Sequence, residues 1–161
     1  MPENYFKKLV KESVQFYYDL AIEKYSDLSS FAIVTDESYD TFIIAINTGK
    51  FYKDLESLII SDEDYWNTAE WTEECLDCIY ESADAEQINV IISNDNEFTE
   101  SIFLEACFEA LKSIRNEDNS DVCMFIHLTD YGTSINLLNI VNHLNSKNIF
   151  ASYKKYHFPN Q

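Results

Sequence analysis

Two cysteines have the spacing of a redox or metal motif. Cys75 and Cys78 are separated by two residues, as in thiol-disulfide enzymes and in one half of a zinc site. A reactive thiol needs positive neighbours or a helix N-terminus, whereas Glu73 and Asp77 beside these cysteines favour the protonated thiol. If the segment is helical, both sulfur atoms lie on the same face as Trp71. The pattern therefore favours two core cysteines over the alternative of a redox or zinc site.

A histidine and a strand-to-helix turn are the next candidates. His127 alternates with Cys123 and Phe125 along one face of an apolar run, which favours a hydrogen-bonded core histidine over a catalytic base. The turn at 130–133 could hold an anion at a helix N-terminus, but it lacks the glycine spacing of phosphate-binding loops, so an ordinary turn is favoured. We predict no catalytic residue, no metal ligand and no cofactor.

The charge of the chain is concentrated in one segment. From Asp54 to Leu111 there are seventeen Asp and Glu and no Lys, Arg or His, whereas the rest of the chain has twelve acids against eleven bases. Nearly all of the net charge of −18 therefore belongs to residues 54–111, which we call the acidic segment. This charge favours a basic partner, and it argues against direct binding of nucleic acid or of an anionic membrane, because both are negative as well.

A helix inside the acidic segment is predicted to display the carboxylates. Asn67 is a suitable N-cap with Glu70 as its capping-box partner, and the helix is expected to run to about Asp84. Like charges three or four residues apart cost ~0.2 to 0.5 kcal/mol per pair, and no Lys offsets that cost here. The row of carboxylates on this predicted helix therefore suggests a docking surface, and the alternative is an acidic face that is only solvated.

The predicted interface combines acidic side chains with two aromatic residues that we expect to be exposed. Aromatic side chains are the anchors that protein interfaces favour. The predicted partner-binding residues are Asp62, Glu63, Asp64, Tyr65, Trp66, Glu73, Asp77, Glu81 and Asp84.

The first half of the chain predicts a helix followed by a hairpin. Apolar residues recur every three or four positions from Tyr5 to Tyr25, the period of an amphipathic helix. Two short β-branched runs, 31–35 and 41–47, are separated by a polar loop of hairpin length, so that they predict an antiparallel pair. A short helix is expected over 50–59.

The second half predicts a parallel strand pair. The pattern at 88–93 fits either a strand or part of a helix, and a helix is expected at about 97–115. The run 121–129 is almost continuously apolar and is predicted to be the central strand. A helix beginning at Thr133 or Ser134 and a final strand at 148–156 complete a right-handed crossover.

These elements predict a single α+β domain over residues 1–161. The expected order is α-β-β-α-α-α-β-α-β, with a sheet of about four strands, a hairpin, a βαβ crossover and about five covering helices. No run approaches the ~18 to 20 apolar residues of a membrane helix. Four cysteines without a secretory signal favour reduced thiols, so that we expect a soluble, cytoplasmic protein.

A short motif resembles a known domain family. Residues 65–71, Tyr-Trp-Asn-Thr-Ala-Glu-Trp, follow the strand and turn at 31–36 and resemble an uncharacterised bacterial domain family with a Trp-x-x-Ala-Glu-Trp signature after such a hairpin. Thr68 stands where that family is expected to have Pro. The resemblance implies an immunity protein that neutralises a toxin by binding it, and it brings no catalytic residues.

Three functions are open at this point. The first is an immunity or antitoxin protein that binds a cognate basic toxin, for which a nuclease is the natural electrostatic match. The second is a small enzyme with an unrecognised site, and the third is an acidic adaptor or nucleic-acid mimic. A toxin gene directly upstream would favour the first function.

The first testable prediction concerns the paired cysteines. We expect Cys75 and Cys78 to react slowly with thiol reagents in the folded protein and at ordinary rates after denaturation, because burial and acidic neighbours disfavour the thiolate. Zinc should not bind in a ratio of one per chain. Rapid labelling of the folded protein, or one bound zinc ion per chain, would contradict the core interpretation.

Overall fold

The protein consists of helices packed on both faces of a mixed sheet. The computed structural model describes residues 3–39, 41–49, 66, 68, 71, 83–94, 99–117, 121–129 and 135–158. Five helices and three strands lie in these ranges: α1 Glu3–Lys24, β1 Leu28–Thr35, β2 Ile43–Thr48, α2 Ala83–Asn94, α3 Glu100–Glu117, β3 Cys123–Leu128, α4 Ile135–Leu144 and α5 Lys147–His157. None of the described helices is both long and apolar enough to cross a bilayer.

The predicted hairpin and first helix are confirmed. The strand order is β2-β1-β3, in which β1 pairs antiparallel with β2 and parallel with β3. Ile33 of β1 lies opposite Ile44 of β2 and Ile126 of β3, so that β-branched side chains fill the middle of the sheet. Tyr39, between β1 and β2, has a φ of 56°, the left-handed conformation that non-glycine residues rarely adopt.

The two faces of the sheet carry separate cores. On one face, the isoleucines and Phe31 of the sheet pack against the buried stripes of α1, α2 and α3. On the other face, the small side chains of Ala32 and Ala45 lie opposite each other, and the cluster there includes Trp66 and Trp71 together with residues of α4 and α5. Coverage of both faces gives the described part three layers.

Among the described strands, β3 lies at an edge and not in the centre, contrary to the prediction. It is a strand as expected, but β1 occupies the middle of the three described strands. The prediction of about four strands is not confirmed by the described part of the chain. The 121–129 run is apolar because both of its faces are covered. Met124 and Ile126 belong to the core with α1 to α3, and Cys123 and Phe125 belong to the core with α4 and α5.

The last element is a helix, so the predicted strand at 148–156 and its parallel crossover with 121–129 are wrong. The helix α5 begins after the N-cap Ser146, whose hydroxyl accepts a hydrogen bond from the backbone N–H of Ile149. Tyr153 is buried against the sheet. The aromatic and β-branched residues that suggested a strand form the inner face of a helix, because tertiary packing outweighs their weak strand preference.

The remaining predicted elements have mixed outcomes. Residues 88–93, which fitted either structure, belong to the helix α2. The helix expected at about 97–115 is α3, which begins at Glu100. The short helix at 50–59 and most of the helix expected from Asn67 to Asp84 fall outside the described residues.

The outer edge of β3 is covered by side chains at its amino-terminal end. Met124 accepts a hydrogen bond at its carbonyl from the Asn145 amide nitrogen at 2.6 Å, and its N–H donates to the Asn145 amide oxygen at 2.8 Å. The Arg115 guanidinium donates to the carbonyls of Val122 and Leu144. These two side chains satisfy backbone groups that a strand edge otherwise leaves open.

Removing the Asn145 amide is expected to destabilise the fold. In Asn145→Ala, the N–H and carbonyl of Met124 both lose a partner, so the free energy of unfolding should fall by about 2 to 4 kcal/mol. Asn145→Asp keeps the acceptor but places a carboxylate oxygen against the carbonyls of Met124 and Val141, so it should destabilise the fold at least as much as Asn145→Ala. Urea denaturation measures both losses.

The matched control is Asn136→Ala, which makes the same change at an exposed position of α4. Its effect should stay within about 0.5 kcal/mol. Equal stabilities of Asn145→Ala and Asn136→Ala would show that the edge of β3 does not depend on the amide.

Candidate functional site

The predicted interface residues lie partly outside the described structure, and Trp66 is not exposed. Trp66 is only 1% exposed and meets Phe125 and Tyr153 in edge-to-face contacts, with ring centroids 5.6 and 5.0 Å apart. Trp71 is buried as predicted and contacts Phe125 at 5.5 Å. The small alanines of β1 and β2 leave room for both indoles, so Trp66 is a core residue and not an exposed anchor.

The other predicted partner-binding positions stay predictions. Asp84 belongs to the first turn of α2, but its side chain lies outside the described part of the structure. The rest of the set also lies outside that part: Asp62, Glu63, Asp64, Tyr65, Glu73, Asp77 and Glu81.

A groove runs between α3 and α4, which flank β3. One hollow of this groove has a volume of about 540 Å³ and is lined by Glu100, Leu104, Glu105 and Phe108 of α3 and by Ile140 and two asparagines of α4. A hollow of about 400 Å³ shares Phe108 and Ile140 with it and continues to the other end of both helices. We call the two hollows together the α3–α4 groove.

The groove has an acidic end that is held in place by Tyr39. The Tyr39 hydroxyl donates a 3.1 Å hydrogen bond to the carboxylate of Glu100, and the Tyr39 ring packs on Phe103 at 5.8 Å. Burial and then the neighbouring Glu100 raise the pKa of Tyr39 to about 12. The hydroxyl therefore stays protonated and keeps Glu100 oriented at neutral pH.

Lysines compensate part of the acidic charge on α3. Lys7 of α1 lies 3.0 Å from Glu105 and 2.6 Å from Glu3, and hydrogen bonds to these two carboxylates raise its pKa. Lys112 lies 3.2 Å from Glu109. Both lysines are outside the acidic segment in sequence, so a count of charges along the chain overstates the imbalance on this helix.

The opposite end of the groove is basic. Arg115 is engaged with the carbonyls at the β3 edge, while the ammonium of Lys112 lies over the Phe108 ring at 5.3 Å and its side chain is 49% exposed. His143 packs edge-to-face on Phe108 at 6.0 Å, and its Nδ1 is 2.7 Å from the carbonyl of Asn139. The groove therefore changes sign along its length.

Two histidines form a second cluster at the carboxyl end of β3. His127 makes a hydrogen bond with the backbone of Trp66, as the core interpretation predicted, and burial lowers its pKa to about 4. The ring of His157 lies 4.3 Å from that of Tyr153, and burial, followed by the charge of His127, lowers its pKa to about 4. Both imidazoles are neutral at pH 7, and sequence reasoning assigned His157 no partner. The spacing of four residues between Tyr153 and His157 is typical of two side chains on one face of a helix, and it was the signal that could have predicted their contact.

The cysteines in the described part are unreactive by environment. Cys107 and Cys123 are free thiols and fully buried. Burial raises the pKa of both, that of Cys123 to about 12 despite the opposing charge of Arg115. Within the described ranges, no three His, Cys, Asp or Glu side chains are grouped so that they could hold a metal ion.

The lowered pKa of His127 predicts a loss of stability in acid. The unfolded chain binds a proton near pH 6.5 and the folded chain only near pH 4, so unfolding takes up protons between these values. The neutral His127 contributes about 3 kcal/mol to the free energy of unfolding. This contribution is fully present above pH 6.5 and is lost as the pH falls through 4. Urea denaturation at several pH values in that range measures the free energy of unfolding of the wild type and of His127→Gln. This free energy should fall less steeply with decreasing pH in the variant, and equal slopes for the two proteins would contradict the prediction.

Known proteins provide no match to this chain. Comparison with protein families, with curated proteins and with solved structures finds none that resembles it. The resemblance of residues 65–71 to the Trp-x-x-Ala-Glu-Trp family therefore stays a prediction, and the function has to be inferred from the groove, the imidazole pair and the charge distribution.

Proposed function

We propose that this protein is an immunity-type binding protein that neutralises a basic bacterial toxin by occupying its surface. The observation that carries the proposal is the charge distribution, with seventeen acids and no base over residues 54–111. Such an arrangement costs free energy through mutual repulsion, and a basic partner removes that cost on binding. A basic nuclease is the kind of toxin whose surface matches it best.

The described end of the acidic segment exposes two carboxylates, each of which is paired with one lysine, Glu105 with Lys7 and Glu109 with Lys112. The side chains of Glu105 and Glu109 on α3 are 56% and 55% exposed, one helical turn apart. The helix that carries them packs against α1 and the sheet through a fully buried stripe that includes Phe103 and Leu111. A rigid helix needs no backbone ordering when a partner binds, and the ion pairs with Lys7 and Lys112 already restrict the two side chains.

A small enzyme is the second candidate, and the observation that favours it is the pair His127 and His157. These imidazoles lie at the carboxyl end of β3, next to the parallel strand β1, where α/β sheets often bind ligands. Their pKa values of about 4 make both weak bases at neutral pH. We therefore favour a binding protein over an enzyme as the proposed function.

The acidic segment should accelerate association with the toxin. We expect the association rate of the wild type with the protein encoded by the neighbouring gene to fall at least about tenfold as salt rises from ~0.01 to ~0.1 M, because the Debye length shrinks from ~30 to ~10 Å. Dissociation should change much less. Glu73→Lys, Asp77→Lys, Glu81→Lys and Asp84→Lys combined should slow association at low salt. Surface plasmon resonance over a salt series measures both rates.

The matched control places four acid-to-lysine changes on α1, at the exposed Glu3, Glu12, Asp19 and Glu23. Each substitution replaces −1 by +1, so both variants have a net charge of −10 where the wild type has −18. A slower rate in the first variant alone assigns the effect to the acidic segment. Equal rates in the two variants, or undiminished protection from the toxin in the cell, would refute the proposed interface. Binding of several unrelated DNA-binding proteins would instead indicate a nucleic-acid mimic.

A further inference from the structure

We propose that the α3–α4 groove holds one amphipathic helix of the basic partner. A Lys or Arg of that helix lies at Glu100 and Glu105, and its apolar face lies on Leu104, Phe108 and Ile140. This inference rests on the proposed function, and it names the place and the chemistry of the contact.

The dimensions of the groove suit a helix. From Glu100 to Lys112 along α3, the rise of ~1.5 Å per residue gives a length of ~18 Å, which a partner helix of about 12 residues spans. Leu104 and Phe108 are one turn apart on the α3 wall, and Ile140 faces them from α4. An apolar floor between two helices is the usual seat of an amphipathic helix.

The charges at the two ends fix the direction of the occupant. Glu100 and Glu105 lie at one end, and Lys112 and Arg115 lie at the other. The basic side chains of the occupant therefore belong at the start of α3, and any carboxylate it has belongs near Lys112.

The groove is formed before the partner arrives. Tyr39 orients Glu100, and Lys7 lies 3.0 Å from Glu105, so both carboxylates already have defined positions. At the other end, Arg115 of α3 donates a 2.8 Å hydrogen bond to the carbonyl of Leu144, the last residue of α4. This bond ties the two walls together, and the ordering cost of binding falls on the partner.

A designed helical peptide tests the groove directly. The probe has about 14 residues, with a leucine stripe, lysines at one end and glutamates at the other. A second peptide with every lysine replaced by glutamate reports whether the charge matters. Fluorescence anisotropy of labelled peptides gives affinities for the full chain, and backbone NMR shifts locate the contact.

The variants separate the groove from the general surface. Phe108→Ala should weaken binding of the basic peptide about tenfold, and Glu105→Gln about threefold. Phe16→Ala and Glu12→Gln are the matched controls, because Phe16 is 56% exposed and Glu12 is a surface carboxylate, both on α1. The controls should bind as the wild type does, and thermal melts confirm that all four variants fold.

The outcomes distinguish this inference from the proposed function. Three results would refute the inference that the groove binds a basic helix. They are absence of peptide binding, equal binding of both peptides, and equal losses of peptide affinity in the Phe16 and Phe108 variants. A toxin that still associates through the acidic segment would then leave the proposed function standing. If the peptide binds in the groove but no basic protein associates in a salt-dependent way, the proposed function is refuted and the inference about the groove stands.

Discussion

The outer edge of β3 is the constraint on which the rest of the described structure depends. This strand pairs with β1 on one side, and its other side meets the amide of Asn145 and the guanidinium of Arg115. Both side chains come from the ends of helices, Arg115 near the end of α3 and Asn145 directly after α4. Closing the strand edge therefore also sets the distance between the two helices at the basic end of the groove.

The same arrangement explains how one face of the molecule combines rigidity with an exposed surface. The buried stripe of α3 packs on α1, while its outward residues include Glu105, Phe108 and Glu109. On the opposite face of the sheet, the aromatic rings around Phe125 form a second core, and the half-buried imidazoles of His127 and His157 pack against it. On the first face α3 exposes carboxylates, whereas on the second face the two imidazoles are half-buried. This division is the physical reason for favouring binding over chemistry.

Much of the fold could be predicted from local periodicity, and the failures have definite physical causes. The stripe of α1, the β1–β2 hairpin, the helix α3 and the strand β3 each follow from apolar spacing. The helix α5 was missed because its residues have strand preferences, and only the position of Tyr153 against the sheet decides the matter. Trp66 was expected to be exposed because its neighbours are acidic, but the space above Ala32 and Ala45 cannot be seen from the sequence.

The candidate site was less predictable than the fold. The acidic segment is visible in the sequence, but the groove exists only because α3 and α4 are placed side by side by the strand between them. Likewise, the pairing of Lys7 with Glu105 joins residues almost a hundred positions apart. Such contacts depend on tertiary arrangement, for which local spacing contains no information.

The parallel pairing of β1 and β3 has a consequence for biosynthesis. Ser30 pairs with Cys123, which is made 93 residues later, and at ~5 to 20 residues per second the ribosome needs ~5 to 19 s to supply it. During that interval one apolar edge of β1 is open to strands of other nascent chains. The acidic segment is synthesised within the same interval. Its charge makes neighbouring nascent chains repel one another while the edge of β1 is not yet paired with β3.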